Sequence, residues 1–489
     1  MPTQQPIVNR RPEYFLSDDK RVIVRHFDIS DPQRIRGVVD RVVSLPKAER
    51  AALLERMMRD FGSRHPDIEA AFERSFKEIS LHMPAGTKLD AQTRLLLGAY
   101  FTMEYSIESA ALFNPSIVPH PDQKGIGPGL VRFLMSLRAT GEGHLSSIVF
   151  RRGIIDNTGR VSLDPAPRYA RTARPLADPQ FDKVVFRRKL RDVGDYGPII
   201  EGVLRALPDP FTRAELKAAL DRRMHQPQTP TSFRRVADEL LWVAMANYTL
   251  RFGEDYPPTE TVIFPATEHE SRGMEDLRLV QFIDEDGQAR YCGTYTAYDG
   301  RRIHPMMLET ADFHTFHVST LSGRYVKNKG MALFPRKIDG YYVMLARHDG
   351  ENNYLMRSHN LYVWNTSHPL QTPKRPWELM QLGNCGPPLE TEAGWIVLTH
   401  GVGPMREYCI GAILLNRGDP AKVIGRLREP LLAPMGEERE GYVPNVVYSC
   451  GSMIHEDMLV IPYAVSDSRT AFATAKVDDL LGRMLDAGP

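Results

Sequence analysis

The densest chemistry in this sequence lies in Glu270-Ser-Arg-Gly-Met-Glu-Asp-Leu-Arg-Leu279. Adjacent carboxylates at Glu275 and Asp276, followed two residues later by Arg278, put acids and a guanidinium together. Such a group can hold one carboxyl protonated as a general acid while another stays charged. The same residues also suit a structural Asp–Arg pair that fixes a turn, the plainer reading of the segment by itself. Other segments shift the balance. Asn114 sits in Phe-Asn-Pro-Ser, and Arg138 ends an apolar run. Tyr295-Thr-Ala-Tyr-Asp-Gly300 ends in Tyr298 and Asp299, residue types that stack on and hydrogen-bond to a sugar ring. Lys327-Asn-Lys-Gly330, with Asn328 and Lys329, and Arg347 add donors suited to an anion. A run ending in His400 follows Asn384-Cys-Gly-Pro-Pro388, and Tyr442-Val-Pro-Asn445 opens the last segment. Tyr298 is the aromatic expected to stack on sugar, whereas Trp242, Trp364 and Trp395 read as core.

For these groups to converge, the elements carrying them must repeat. Four segments do: DGQARYCGTYTAY from Asp286, DGYYVMLAR from Asp339, AGWIVLTHG from Ala393 and EDMLVIPYA from Glu456. Each is a tight-turn dipeptide followed by an aromatic or aliphatic strand, at spacings of roughly 53, 54 and 63 residues. GLVRFLMSLRA from Gly129 is a fifth copy, earlier by one period plus an insertion of roughly 100 residues. Five units predict a mainly β fold, a five-bladed β-propeller over residues 109–489. A helical N-terminal region, 1–108, precedes it. Helical spacing after Pro46, over Pro66–Ile79 and over Asp90–Phe101 supports that division. A helical insertion at about 190–246 falls between the first two blades. Its signals are a capping box at Thr212 and Glu215, a helix over Ser232–Ala246, and a turn or linker at Gln226–Pro230. The N-terminal helices, with Met57, Met58 and Phe61 on one face, would pack on the propeller or mediate self-association.

Composition excludes whole classes. Lys and Arg total 62 against 61 Asp and Glu, so no global charge pulls toward nucleic acid or anionic membrane. The 25% charged and 42% hydrophobic fractions are those of a folded protein. The most apolar stretch, Leu240–Ala246, is far short of the ~18 residues a membrane span needs. Cys292, Cys385, Cys409 and Cys450 never form a CxxC pair, which argues against zinc ribbons and disulfide scaffolds. The polar start lacks the apolar run of a signal peptide, and a cytoplasmic protein is expected. His314 and His317 would point opposite ways on a strand, so no metal site is expected. Gly125-Ile-Gly-Pro-Gly129 is a loop, and Arg151-Arg152 and Arg187-Arg-Lys189 read as solvated surface.

In this order the motifs resemble glycoside hydrolase family 130, the β-mannoside phosphorylases and related β-mannosidases. The resemblance covers about Phe113–Leu481. It rests on Phe-Asn-Pro at Asn114, Glu-Asp-x-Arg at Asp276 and Tyr-Thr-Ala-Tyr-Asp-Gly at Tyr295. Phe-Pro-x-Lys-Ile at Phe334, Gly-Pro-Pro at Gly386 and Val-Pro-Asn-Val-Val at Val443 complete it. The N-terminal helices and the insertion lie outside the common family core. The resemblance implies an inverting enzyme with neither metal nor organic cofactor, inorganic phosphate being a co-substrate. It makes Asp276 the acid, acting through a sugar hydroxyl, and Asn114, Arg138 and Asp299 the grip on mannose. Asn328, Lys329 and Arg347 fall where phosphate is bound, with His400 a further contact.

Two departures bear on the reaction. Leucine replaces the proline common in Glu-Asp-Pro-Arg, a minor change. Gln381–Glu392 lacks a phosphate-contacting lysine that phosphorylases commonly carry, and Glu390 stands there instead. Glu390 is either a solvated turn residue or, in a hydrolase, the base that activates water. Because Arg347 and the Asn328–Lys329 pair remain, phosphorolysis of a short manno-oligosaccharide to α-mannose 1-phosphate is the expected reaction. The alternatives are an inverting β-mannosidase and a silent glycan-binding propeller.

Overall fold

The computed structural model describes residues 7–84, 86–176, 180–193, 197–225 and 233–488. The expected linker at Gln226–Pro230 lies outside them. The chain divides into two compact units: Asp18–Ser109 with Pro167–Arg171, and Met1–Ser17 with Ala110–Ala166 and Thr172–Pro489.

The smaller unit contains helices Pro32–Ser44, Lys47–Phe61, Ile68–Ser80 and Ala91–Tyr100, with strands Val22–His26 and Thr102–Ser106 paired antiparallel. Asp31 caps the first helix by accepting from the Gln33 amide at 2.8 Å, and Asp90 caps the fourth from Thr93 at 2.7 Å. Gly98 lets the third and fourth helices close up, since a Cβ there would lie 1.9 Å from the Phe72 carbonyl oxygen. Met57, Met58 and Phe61 pack against their own unit's core around Leu54, Phe72 and Leu97. They pack as part of that core, and no ligand box is formed by them.

The larger unit is mostly antiparallel sheet with helices. Among the described residues, five sheets of four or more strands follow in chain order, apart from a two-stranded pair in the insertion, Gln180–Phe181 with Phe211–Thr212. The first joins Ala111–Pro119, Val131–Thr140, Ser146–Ile155 and Thr261–Ile263. The second joins Met274–Ile283, Ala289–Tyr298, Ile303–Thr310, Thr315–Thr320 and Tyr248–Arg251. The third runs Ala332–Leu333, Tyr342–Ala346, Asn353–Ser358 and Thr366–Gln371, and the fourth Gln381–Asn384, Trp395–Val402, Tyr408–Leu415 and Val423–Arg426. The fifth holds Val447–Tyr448, Met458–Val465, Arg469–Lys476 and, at its edge, Val8–Phe15.

That edge strand corrects the expectation that residues 1–108 form one helical region. Val8 pairs with Ala475 and Phe15 with Thr470. Pro12 lies where the register breaks between Arg10 and Tyr14, as suits a residue without an N–H on a sheet edge. Phe15 is buried, its ring 6.1 Å from Phe472.

Hydrogen bonds link each sheet to the next. The Leu279 amide donates to Ser116 Oγ at 2.9 Å, and Thr294 Oγ1 donates to the Met331 carbonyl. Asn384 Nδ2 reaches the Gly330 carbonyl at 2.6 Å, and the Tyr408 amide reaches Asn445 at 2.9 Å. The fifth sheet is bonded to the first, Cys450 N to Pro115 O at 2.8 Å.

Among the described residues the insertion holds four helices, Lys183–Val193, Pro198–Arg205, Arg213–Met224 and Phe233–Met245, where sequence signals indicate two from about residue 190. The capping box at Thr212 and Glu215 is present. The earlier helices were hidden by the basic run at Arg187. In the structure Arg187 pairs with Glu201 at 3.3 Å, while Lys189 is buried and donates to the Leu321 carbonyl at 2.8 Å. Arg151 is buried as well, so neither basic run is simply solvated surface. Phe186, Phe211, Leu220, Phe233 and Leu240 form the insertion's own core.

Candidate active site

The site begins with kinked strands. Asn114 and Asp276 both have positive φ, 51° and 57°, and each lies where the register of its strand shifts against the next. Asn and Asp tolerate this left-handed conformation better than most residues, and a bulge re-aims the side chain it carries. Asn114 Nδ2 consequently meets Asp276 Oδ1 at 2.6 Å. Arg138, on the strand beside Asn114, places Nη1 3.5 Å from Asp276 Oδ1 and Nη2 3.1 Å from Glu275 Oε1. Lys329 closes the group by pairing with Glu275. The loop ahead of Asp276 is pinned by buried Glu270, which accepts from Tyr248 Oη at 2.7 Å and Tyr295 Oη at 2.6 Å, and from the Ala266 amide.

Burial pushes the Asp276 carboxyl up. Arg138, Arg278, the hydrogen bond from Asn114 and Lys329 outweigh it and hold the group below the usual aspartate range. A second carboxyl, Asp467, responds the other way: burial and the nearby Asp276 charge push it up to about 6, against Arg138 and Arg406. Two neighbouring carboxyls with opposite shifts are an arrangement suited to proton management.

On the far side of Asp276 stands a cationic and imidazole group. Asp276, Arg278, Thr294, Asn328, Lys329 and Gly330 line one pocket. The Arg278 guanidinium is fully buried, donating to Tyr448 Oη at 2.5 Å and to Cys450 Sγ at 3.5 Å. The rings of Tyr448 and His400 lie 5.0 Å apart. Nδ1 of His400 is 3.2 Å from the Asn384 carbonyl, which can only accept, so the proton is on Nδ1 and Nε2 is left as an acceptor. Burial, with Arg347 and Arg278 nearby, keeps this imidazole neutral. Arg347 Nε is buried and meets no hydrogen-bond partner among the described residues. Such an orphaned charged donor is suited to an anion.

The structure therefore brings Asn114, Arg138, Asp276, Asn328 and Lys329 together, with Arg347 and His400 reached through Arg278 and Tyr448. Asp299 is committed to its own turn: Oδ1 accepts the Arg301 and Arg302 amides at 2.7 and 2.6 Å, and Oδ2 meets His304 at 3.0 Å. Although burial opposes it, these bonds hold the Asp299 carboxyl at about 2. Tyr298 closes the same end of the second sheet through backbone bonds to Arg272 and Gly273. Trp364 and Trp395 are fully buried, and Trp242 packs against the insertion core as read from the sequence but is only half-buried and also lines a cleft.

Glu390 is not brought to the site. Arg336 holds it with bonds of 2.6 and 2.9 Å and Arg417 with one of 3.1 Å, and the Arg336 hydrogen bonds depress its carboxyl pKa. It pairs with Trp395, five residues along the strand from His400, or about 16 Å at ~3.3 Å per residue.

Tyr448 and Asp467 were missed as site residues, whereas Glu275 and Arg278 were recognised only as members of the Glu-Asp-x-Arg cluster, with no role of their own. A signal for Asp467 existed. The repeated strands Val131–Thr140, Ala289–Tyr298, Tyr342–Ala346, Trp395–Val402 and Met458–Val465 carry Arg138, Tyr298, Arg347, His400 and Asp467 at or just past their ends. The fifth of these follows from the first four.

A carboxylate fixed among cations, with a neutral His400 and an Arg347 whose Nε is unpaired among the described residues close by, defines an enzyme site for a hydroxyl-rich or anionic substrate. The family profile described as beta-1,4-mannooligosaccharide phosphorylase matches residues 251–485. A 1,2-beta-oligomannan phosphorylase of Thermoanaerobacter is 35% identical over 218 residues, 44% of this chain and 72% of that protein. A beta-1,2-mannobiose phosphorylase of Listeria innocua is 28% identical over 236 residues, 45% of this chain and 63% of that protein. The solved beta-1,2-mannobiose phosphorylase from Listeria innocua aligns with 78% of this chain and 93% of its own, at 20% identity and TM-score 0.46. The chain belongs to glycoside hydrolase family 130.

Proposed function

We propose that the protein cleaves β-mannosides by phosphorolysis with inversion, yielding α-mannose 1-phosphate and a shortened oligosaccharide. The five sheets are read as the blades of a five-bladed β-propeller whose inner strands carry the site. The observation that carries the reaction is the pairing of Asp276 with an anion-ready group, Arg347, Lys329, Asn328 and neutral His400. Glu390, the candidate base of a hydrolase, is tied to two arginines elsewhere. The relatives' names point the same way.

In this reading Asn114, Arg138 and Asp467 hold the mannose hydroxyls. Phosphate, oriented by Arg347 and Lys329, attacks the anomeric carbon from the face opposite the leaving group. The bond from that carbon to the glycosidic oxygen breaks, and the oxygen takes the Asp276 proton through a sugar hydroxyl. Positioning and charge compensation supply most of the rate. Asp276 is held ionised by its neighbouring cations. An incoming phosphate engages the same cations, and its negative charge raises the carboxyl toward the protonated state it needs. His400 Nε2, an acceptor, suits a phosphate that still carries a proton. A reaction that keeps the sugar as a phosphate ester favours a cytoplasmic setting, where the ester is retained. The test is synthesis: incubation with α-mannose 1-phosphate and a panel of mannose and glucose acceptors, read for phosphate release. No release with any acceptor refutes the reading.

A further inference from the structure

Beside the Asp276 pocket, sharing Pro305 and Asn328 with it, opens a second cleft of about 410 Å³. This is within the ~300–1,000 Å³ typical of small-molecule sites. Its inner wall comes from the second sheet and the loop that follows it, with Arg302, His304 and Asn328. Its outer wall comes from the insertion: Lys189 on Lys183–Val193 and Trp242 on Phe233–Met245. Those helices lie outside the matched span 251–485, so the family match does not account for this wall.

Three features make the wall a built one. Lys189 is buried and ties its helix to the second sheet through the Leu321 carbonyl at 2.8 Å. The Trp242 indole rests on the His269 ring, centroids 3.7 Å apart, and meets His304 edge-on at 5.4 Å. His269 is buried, and neither ring nitrogen has a hydrogen-bond partner among the described residues. Burial keeps that imidazole neutral, so it supports the indole as an apolar plate. His304 is in turn fixed by Asp299 at 3.0 Å. The half-buried indole thus has a set orientation, and its open part faces the cleft.

We propose that this cleft is a saccharide subsite for the second hexose of the leaving oligosaccharide, with Trp242 as the ring platform and Arg302 as a hydroxyl donor. The assignment rests on the phosphorolysis reading. A reaction that transfers one mannose to phosphate leaves every further sugar on the leaving-group side, and the cleft adjoins the pocket of the proposed acid. An aromatic face against the apolar face of a pyranose, ringed by donors, is the chemistry that recognises such a unit.

The test uses the full chain in the synthetic direction, with acceptors of one, two and three β-linked mannose units. Trp242→Ala and Arg302→Ala are each expected to raise the KM for two- and three-unit acceptors about ten-fold, as loss of one well-placed contact does. The KM for the single-sugar acceptor stays within about two-fold. Trp242 packs against the insertion core, whereas Arg302 is exposed, so the Arg302 variant keeps the test independent of folding. Equal changes at every acceptor length, or no change in either variant, overturn the subsite. If the unmodified protein releases no phosphate with any acceptor, the phosphorolysis reading fails separately. The subsite is then decided by calorimetric titration with β-mannotriose. Binding that weakens in both variants supports it, and unchanged or absent binding overturns it.

Discussion

Gly383→Ala isolates the phosphate side of the site. The strand Gln381–Asn384 pairs with Trp395–Val402, setting Gly383 opposite His400. A Cβ at residue 383 would lie 2.4 Å from His400 Cε1, 2.9 Å from Nε2 and 3.1 Å from Arg347 Cδ. Ordinary carbon–carbon contact is about 3.5–4.0 Å, so the imidazole must retreat by roughly 1 Å. It has little room to do so, being buried and tied through Nδ1 to Asn384. Overpacking of this kind costs about 1–3 kcal/mol. Charged to the phosphate-bound geometry, that is a rise of about five- to 150-fold in the phosphate KM. The mannoside side rests on Asn114, Arg138 and Asp276, which the new methyl does not meet. Initial rates against phosphate at saturating oligosaccharide, and against oligosaccharide at saturating phosphate, separate the two. A phosphate KM within two-fold of the parent, or an equal rise in both constants, refutes the assignment of His400 and Arg347.

Three further substitutions probe the rest. Asp276→Asn is expected to lower turnover by about 10²–10⁴-fold while calorimetry still records oligosaccharide binding, since the acid proton is lost but the Asn114 contact can remain. Glu390→Gln should leave turnover within two-fold and cost at most about 1 kcal/mol in denaturant unfolding, because its arginine partners are partly exposed. Asp467 is raised to about 6 in the folded protein, above its ordinary value. Its burial therefore weakens the fold as pH rises from about 4 through 6, and the full penalty stands above that range. Asp467→Asn should accordingly be more stable than the parent at pH 8 by roughly 3 kcal/mol, with the gain vanishing near pH 3.5. A pH-independent difference would contradict that origin.

Much of the larger unit was legible because its repeat is written in turn dipeptides and the strands after them. All five predicted strands are the second strands of the five sheets. Asp276 and Asn114 were legible for a related reason: kinks that need Asn or Asp at positive φ leave a Phe-Asn-Pro or Glu-Asp-x-Arg signature. What sequence could not show were pairings between distant segments. Nothing local announces that Val8–Phe15 completes the fifth sheet, or that Arg278 reaches Tyr448, 170 residues away. Glu390 misled because proximity to Gly-Pro-Pro in sequence says nothing of which strand end a residue occupies. Lys189 misled because a basic run on a helix can turn one member inward while its neighbours stay outside.

The central claim concerns what breaks the mannosidic bond. Proton and phosphorus NMR of the protein with a β-manno-oligosaccharide, with and without inorganic phosphate, reads it directly. The account predicts α-mannose 1-phosphate accumulating in step with shortened oligosaccharide, and no cleavage when phosphate is omitted. Free mannose appearing at the same rate without phosphate would contradict it.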